Sequence, residues 1–395
     1  MLIHGDTLED NSHLQCDAVI IGAGPAGIVL TLELATAGLD VILVESGGLE
    51  YSENNQKLAD AASFDPEFHA PMSECTRRII GGASTIWGGR CVPFDPLDFD
   101  DRPYISDSPW PVEYADIASY YQRASDWFFC GNAEFNINNL PDISQKTLVP
   151  GMPDGDVLTS RLERWTVPTT IGREHADTLR QHNNVRLVHD LTCTEITCDG
   201  PEKADTIVAK TLSGKSIRIS SNFHVVACGG IETARLLMSS DRVHAGGIGN
   251  HSDMLGRNYM GHISGRISNV HFNTPPKDTI YGFDRDPEGV YLRRRFTFSR
   301  EFHHEKELPN IVAWLVNPDI HDATHHNGIL SLVYLLLTSP VIGKRLASEA
   351  IRKAAAGGLQ QKDRLKHLRN VVIDLPATLK FMATFGLSRI LSRRK

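Results

Sequence analysis

The chain reads Gly22-Ala23-Gly24-Pro25-Ala26-Gly27 a short way in, and this stretch decides the fold. A compact β-type run, Asp17 to Ile21, leads into it, and Ala26 to Ala37 follows with Ile28, Leu32 and Ala35 at helical spacing. Gly38 stops that helix and Asp40 to Val44 forms the next strand, so the glycines lie in the bend of a βαβ unit. G-x-G-x-x-G in that setting is a dinucleotide fingerprint. Gly22 allows the tight turn, Gly24 lets the backbone approach a pyrophosphate, and Gly27 permits close packing of helix on strand. Pro25 and Ala26 open the helix, whose first N–H groups and partial positive charge suit phosphates. Glu45, eighteen residues past Gly27, ends the second strand, where a carboxylate accepts hydrogen bonds from ribose hydroxyls and disfavours a 2′-phosphate. FAD and NAD both remain open on these residues alone.

The 395 residues exceed what one ordinary core organises, so two domains, interleaved or separate, are expected. Forty-one per cent hydrophobic and 22% charged residues describe a globular chain rather than a disordered or fibrous one. A net charge of -8, without a basic face interleaved with aromatics, excludes nucleic acid as an expected partner. The charge is uneven: residues 341–395 carry 13 Lys or Arg against three Asp or Glu, a balance of +10. Seven scattered cysteines without a CxxC spacing disfavour a metal cluster or a disulfide framework. The opening MLIHGDTLEDNSHLQ has neither a basic n-region nor an apolar h-region, so a cytoplasmic location is expected. The longest apolar stretch, Gly328 to Gly343, is shorter than a bilayer requires and reads as a buried helix, with no membrane span.

Outward from the βαβ unit, Glu50 to Ser73 suits a covering loop, Tyr114 to Phe129 a helix with Ile117, Tyr120, Tyr121 and Ala124 on one face, and Leu140 to Pro168 a connecting loop. Glu174 to Gln181 reads as a short helix and Asn184 to Val188 as a strand. Thr192 to Thr197, Thr206 to Thr211 and Ser216 to Ile219 form a meander. Phe223 to Ala227 reads as a buried strand ending at Gly229, followed by a helix, Glu232 to Ser239. Alternation in Gly265 to Phe272, Val290 to Phe298 and Ile311 to Val316 predicts a second sheet, and the pattern beyond Ser331 is helical. Lys362, Arg364, Lys366 and Arg369 fall on a solvated helix whose apolar face is too weak for a membrane surface. His321-Asp322-Ala323-Thr324-His325-His326 lacks a glutamate and a third ligand spacing and reads as a polar turn, so no metal site is expected.

The dinucleotide is narrowed by Arg78-Ile79-Ile80-Gly81-Gly82-Ala83-Ser84-Thr85-Ile86-Trp87-Gly88-Gly89-Arg90. Here the sequence resembles the glucose-methanol-choline (GMC) oxidoreductases, flavoenzymes that oxidise alcohols and sugars. Further support lies in Trp110-Pro111 before the Tyr120-Tyr121 helix and in Cys193 after Asn184-Val185. Two longer segments agree as well: Ala227-Cys228-Gly229-Gly230-Ile231-Glu232-Thr233-Ala234-Arg235-Leu236-Leu237, and Asp253-Met254-Leu255-Gly256-Arg257-Asn258-Tyr259-Met260-Gly261-His262. The match runs from residue 15 to about 265 and looks closest to the branch of pyranose oxidase and gluconate or fructose dehydrogenase.

The resemblance implies an α/β chain with a Rossmann-like FAD-binding domain over 1–262, including a covering loop at 50–75 and a connecting segment at 140–170. An interleaved α+β substrate domain is expected over 263–395. It implies FAD as cofactor, held by Gly22, Gly24, Pro25, Ala26, Gly27, Glu45, Gly81, Gly82, Ser84, Trp87, Gly88, Gly89, Cys193, Ala227 and Gly229. Glycines at 81, 82, 88 and 89 let backbone N–H groups crowd the flavin and stabilise charge that it takes up with a hydride. Ile86 stands where some members attach FAD to a histidine, so the cofactor is expected to be non-covalent. Cys193 corresponds to a position whose backbone meets adenine, and its thiol packs as a small hydrophobe. Cys228, with no second cysteine near it in sequence, also reads as packing.

Oxidising an alcohol requires a base for the hydroxyl proton. GMC members use a histidine from H-x-x-G-T. Of three H-x-x-G matches, at His244, His262 and His325, none is followed by threonine. No catalytic residue is named on this reading, a C-terminally truncated form with impaired turnover is expected, and a non-catalytic flavin-binding or scaffold protein is the alternative. The partners expected are a small alcohol or sugar and an electron acceptor that the sequence does not identify.

Overall fold

The computed structural model describes residues 1–60, 63, 65–106, 108–141, 143, 147–166, 170–200, 202–270, 273, 279–343 and 363–392, with side chains to residue 384. Residues 1–314 form one compact unit and 315–395 a second.

In the first unit a seven-stranded sheet runs in the order β1 (Leu2–His4), β7 (Val185–His189), β3 (Val41–Val44), β2 (His13–Ile21), β10 (Ser216–Val226), β9 (Ala204–Lys210), β8 (Thr192–Cys198). The first five strands are parallel, and β10, β9 and β8 pair antiparallel as the predicted meander. Register sets Ile21 opposite both Val44 and Val226. The two faces of β2 and β3 are both apolar, as a parallel sheet covered on each side requires. Val19, Ile21, Ile42 and Val44 pack with Ile196, Ile207, Ile219 and Leu236. Ile20, Val41 and Leu43 pack with Ile28, Leu32 and Ala35 of helix α1 (Pro25–Thr36). Each fully buried Ile or Leu contributes roughly 1.5–3 kcal/mol, so the first βαβ unit carries a large share of the apolar burial of the first compact unit.

A second, antiparallel sheet has the order β11 (Phe283–Arg285), β12 (Tyr291–Arg294), β6 (Leu162–Trp165), β4 (Arg90–Cys91), and three short strands follow as β14 (Val312–Ala313), β13 (Phe296–Phe298), β5 (Val157–Leu158). Charges are buried here in matched pairs. The fully buried Arg164 places Nη1 2.7 Å from Asp286 Oδ2, while its Nε donates to Glu134 O and Nη2 to Asn132 Oδ1. Glu163, also fully buried, is clamped by Arg90 and Arg293.

Four readings of the sequence need correction. The segment 140–168 is not a plain connection, because β5 and β6 lie in it and β6 is a central strand of the second sheet. The helix over 114–129 is two, Tyr114–Ala118 and Tyr121–Trp127, because no apolar face is buried along its length and Tyr120 is exposed. Residues 265–270 form no strand: Ile267 is exposed and nothing pairs with it among the described residues, while 271 and 272 lie outside them. Phe223 is 61% exposed rather than buried, since β9 pairs with β10 only from Ser216 to Ser220.

The second unit contains α3 (Gly328–Leu337), α4 (Arg364–Ile373) and α5 (Leu375–Ser392). The buried helix expected over 328–343 ends at Leu337 and buries Gly328, Ser331 and Tyr334. Gly328 is needed for close approach, as a Cβ there would meet Thr378 Oγ1 at 2.6 Å. His321 to His326 contains a short turn of 3-10 helix, Ala323–His325.

Candidate dinucleotide site

The strand ends of β3, β2 and β10 meet the starts of two helices. The chain leaves β2 through Gly22–Gly24 into α1, and leaves β10 through Cys228 and Gly229 into α2 (Gly230–Ser239). Since β3 lies on one side of β2 and β10 on the other, the crevice between these loops is a topological switch point, the usual ligand site of an open α/β sheet.

The glycines are required by contact. A Cβ on Gly27 would sit 1.9 Å from Gly22 O, so no side chain fits beneath the turn. Gly22 has φ +103, and a Cβ there would lie 2.7 Å from Ala227 O, which ties the first loop to the end of β10. Gly81 donates its N–H to Ala23 O at 2.8 Å, and a Cβ on Gly82 would stand 3.0 Å from Gly24 Cα. Ser84 Oγ bonds Gly81 O at 2.6 Å and holds that approach. Gly24, Gly229 and Gly230, by contrast, face open space, with nothing within 4 Å of where a Cβ would be. The first intrahelical bond of α1 is Ile28 N to Gly24 O, which leaves the N–H groups of Ala26 and Gly27 ahead of the ladder; Pro25 has none to satisfy.

Glu45 is buried, with Oε2 accepting from Ala23 N–H and Oε1 from Gly47 N–H, both at 2.8 Å. Burial pushes its carboxyl up to about 7, against the opposing pull of those two N–H groups and of Arg78. Glu45 thus ties the glycine turn to its own strand end; Oε1 also accepts from Ser46 Oγ at 3.5 Å, and Oε2 keeps a lone pair for a ribose hydroxyl. Arg78 had no role assigned from sequence. Its guanidinium bonds Ser46 Oγ at 2.9 Å and Glu232 of α2 at 2.9 Å, and its buried Nε has no hydrogen-bond partner among the described residues. Its signal was position, as the cation opening the run into Gly81-Gly82.

Gly22, Gly24, Pro25, Ala26, Gly27, Glu45, Gly81, Gly82, Ser84, Ala227 and Gly229 are therefore gathered in one place. Cys193 packs in the core with Ile21 and Val44, and Cys228 lies against that cluster. Burial pushes both thiols up to about 12, which keeps them protonated and unreactive. Trp87, Gly88 and Gly89 follow the chain away from the glycine turn: Trp87 meets Phe128 edge-on at 6.0 Å, and Gly89 O accepts from Thr166 N beside β4. Nearby, the strand ends are laced by polar contacts. Asp190 accepts from Asn55 Nδ2 at 2.7 Å and pairs with His189 Nδ1 at 2.7 Å. His4 Nδ1 accepts from Asp6 N–H, which leaves the Nε2 proton toward Asp190.

A cradle of three side-chain-free backbone positions, two helix N-termini, an arginine and a ribose-ready carboxylate fits FAD. A family model described as an FAD binding domain matches residues 15–56. The chain is 23% identical over 353 residues to 6'''-hydroxyparomomycin C oxidase of Streptomyces lividus, across 72% of this chain and 64% of that protein. It is 25% identical over 299 residues to paromamine 6'-oxidase of Streptomyces fradiae, across 64% of this chain and 55% of that one. Oxygen-dependent choline dehydrogenase of Photobacterium profundum is 31% identical over 127 residues, 28% of this chain and 22% of that one. The chain thus spans less than two thirds of the length of these relatives. FAD is the cofactor of this chain.

Proposed function

The chain belongs to the glucose-methanol-choline oxidoreductases, and on that premise we propose that it acts on the CH–OH group of an alcohol, sugar or sugar acid. The observation that carries the reading is the open cradle at Gly24, Gly229 and Gly230, bordered by Glu45 and Arg78. Bound FAD supplies the two-electron acceptor for a hydride. The chain's own residues would bind and orient it: N–H groups at Ala26 and Gly27 would receive the pyrophosphate, Glu45 the ribose, and Trp87 to Gly89, farther along the chain from the glycine turn, the flavin end. Ile86 offers no atom for a covalent link, so binding is non-covalent. The relatives' printed names, a hydroxyparomomycin oxidase and a paromamine oxidase, favour a sugar-like alcohol as substrate. All seven cysteines are free, which suits the cytoplasm.

The sequence contains no H-x-x-G-T segment, so turnover by this chain is weak or absent on this reading. That same observation favours a second reading, a flavin-binding scaffold. The test is to purify the chain, release flavin with acid, and assay alcohols and sugars with a dye acceptor. A yellow protein releasing FAD is expected. Colourless protein defeats the reading for this chain, robust turnover defeats the inference of a missing base, and bound flavin that no alcohol reduces selects the scaffold.

A further inference from the structure

The carboxyl ends of β1 and β7 lie side by side, since the two strands are parallel neighbours with His4 opposite His189. Asp190 follows at once, and three side chains from distant parts of the chain meet there. His189 Nδ1 stands 2.7 Å from Asp190 Oδ2, and His4 Nε2 stands 3.5 Å from the same oxygen. The two imidazoles meet edge-on with ring centres 5.1 Å apart. One nitrogen of each ring and one carboxylate oxygen lie within 4.8 Å of one another. Because these ligands come from two separate strands, no local spacing in the sequence announces them. β3 separates the cluster from β2 and its glycine turn.

A His–Asp hydrogen bond accounts for the 2.7 Å contact and leaves the other unexplained. At 3.5 Å, His4 Nε2 lies beyond the roughly 2.7–3.2 Å of an N–H···O bond. It does match the separation of about 3.4 Å between two ligands of one tetrahedral ion held at about 2.1 Å. The surroundings prepare the carboxylate for that use. Asn55 Nδ2, on the short helix Glu53–Gln56, donates to Oδ1 at 2.7 Å, which fixes the group and leaves Oδ2 to the imidazoles. Gly48 keeps Oδ2 open, as a Cβ there would stand 2.9 Å from it. His189 is buried and the His4 side chain is 44% exposed, so an ion has an entry path and water can complete its shell. Coordination at Nε2 moves the His4 proton to Nδ1, and the cost is the exposed 3.2 Å bond from Asp6 N–H. Two imidazoles and one carboxylate suit a first-row transition ion, whereas calcium and magnesium prefer shells of oxygen. We propose that His4, His189 and Asp190 bind one divalent transition-metal ion, with zinc as the probe.

The test is calorimetric titration of zinc into the chelator-stripped full chain, in parallel with H4A, D190N and H13A. His13 is an exposed histidine outside the cluster, paired with Ser220. One equivalent bound by the wild type is expected, with affinity lowered at least about tenfold in H4A and in D190N and unchanged in H13A. H4A truncates a partly exposed side chain, and D190N keeps the shape of a residue at φ +53, a conformation that Asn tolerates. Both variants should therefore keep the wild-type circular dichroism and flavin content, and H4A alone decides if D190N does not fold. Cobalt in place of zinc reads the ligand type. The weak absorption of a nitrogen and oxygen set is expected, without the strong thiolate charge-transfer band that any of the seven free cysteines would give. The site is overturned if wild type binds no zinc, or if folded H4A binds it as tightly as wild type does. It is likewise overturned if the first equivalent of cobalt shows the thiolate band.

Discussion

Gly24 and Gly27 stand three residues apart in one motif and do opposite work. Gly27 is packed under a carbonyl and Gly24 faces open space, so Gly27→Ala should cost several kcal/mol or prevent folding, about 3 kcal/mol by the scale of overpacked cores. Gly24→Ala should leave the melting temperature nearly unchanged while lowering bound FAD at least about tenfold, because its methyl occupies the place of the pyrophosphate. Thermal melts and acid-released flavin on the two variants check this. Glu45 supplies a pH signature. Its carboxyl is raised from the ordinary 4.5 to about 7, so the folded state holds the proton more tightly than the unfolded state. Its contribution to stability is then full below pH 4.5 and falls as pH rises through 7, by up to about 3 kcal/mol. Urea titrations of flavin-stripped protein at pH 5 and 8 should show the loss, and Glu45→Gln should flatten it.

At the scale of elements, β6 is held by a charge that no water reaches. Arg164 is fully buried and its main ionic partner is Asp286, beside β12. Asp286→Asn should destabilise the first unit by about 3–5 kcal/mol, since the guanidinium is left uncompensated, whereas Arg164→Met with Asp286→Leu should recover much of the loss. Denaturant midpoints for the two variants distinguish these outcomes. Hydrophobic patterning misses this strand, because β6 is four residues long and its inward positions include Glu163 and Arg164. Hydrophobic alternation does not register a strand whose burial rests on ion pairs.

At the scale of the whole molecule, two compact units should melt separately, at 1–314 and 315–395. FAD added at about a hundred times its dissociation constant should stabilise the first unit by roughly 2.7 kcal/mol and leave the second unmoved. Scanning calorimetry with and without FAD reads both transitions, and a shift of the second would show that the units unfold together.

The resemblance over Arg78 to Arg90 carried FAD, while the glycine stretch by itself determined the βαβ unit and its place around Gly22 to Gly27. These follow from local chemistry: a turn that only glycine can make, a helix that starts on proline, and an apolar run buried on both faces. Tertiary structure decided what depends on residues far apart in the chain. It brought Ala227 against Gly22 and Gly82 against Gly24, turned Glu45 onto the glycine loop, and gave Arg78 a place between the loops. It also buried His367 and Asn370 of α4 and left Leu365, Leu368 and Val372 exposed. Periodicity shows that a helix has two faces, and only packing tells which of them is covered.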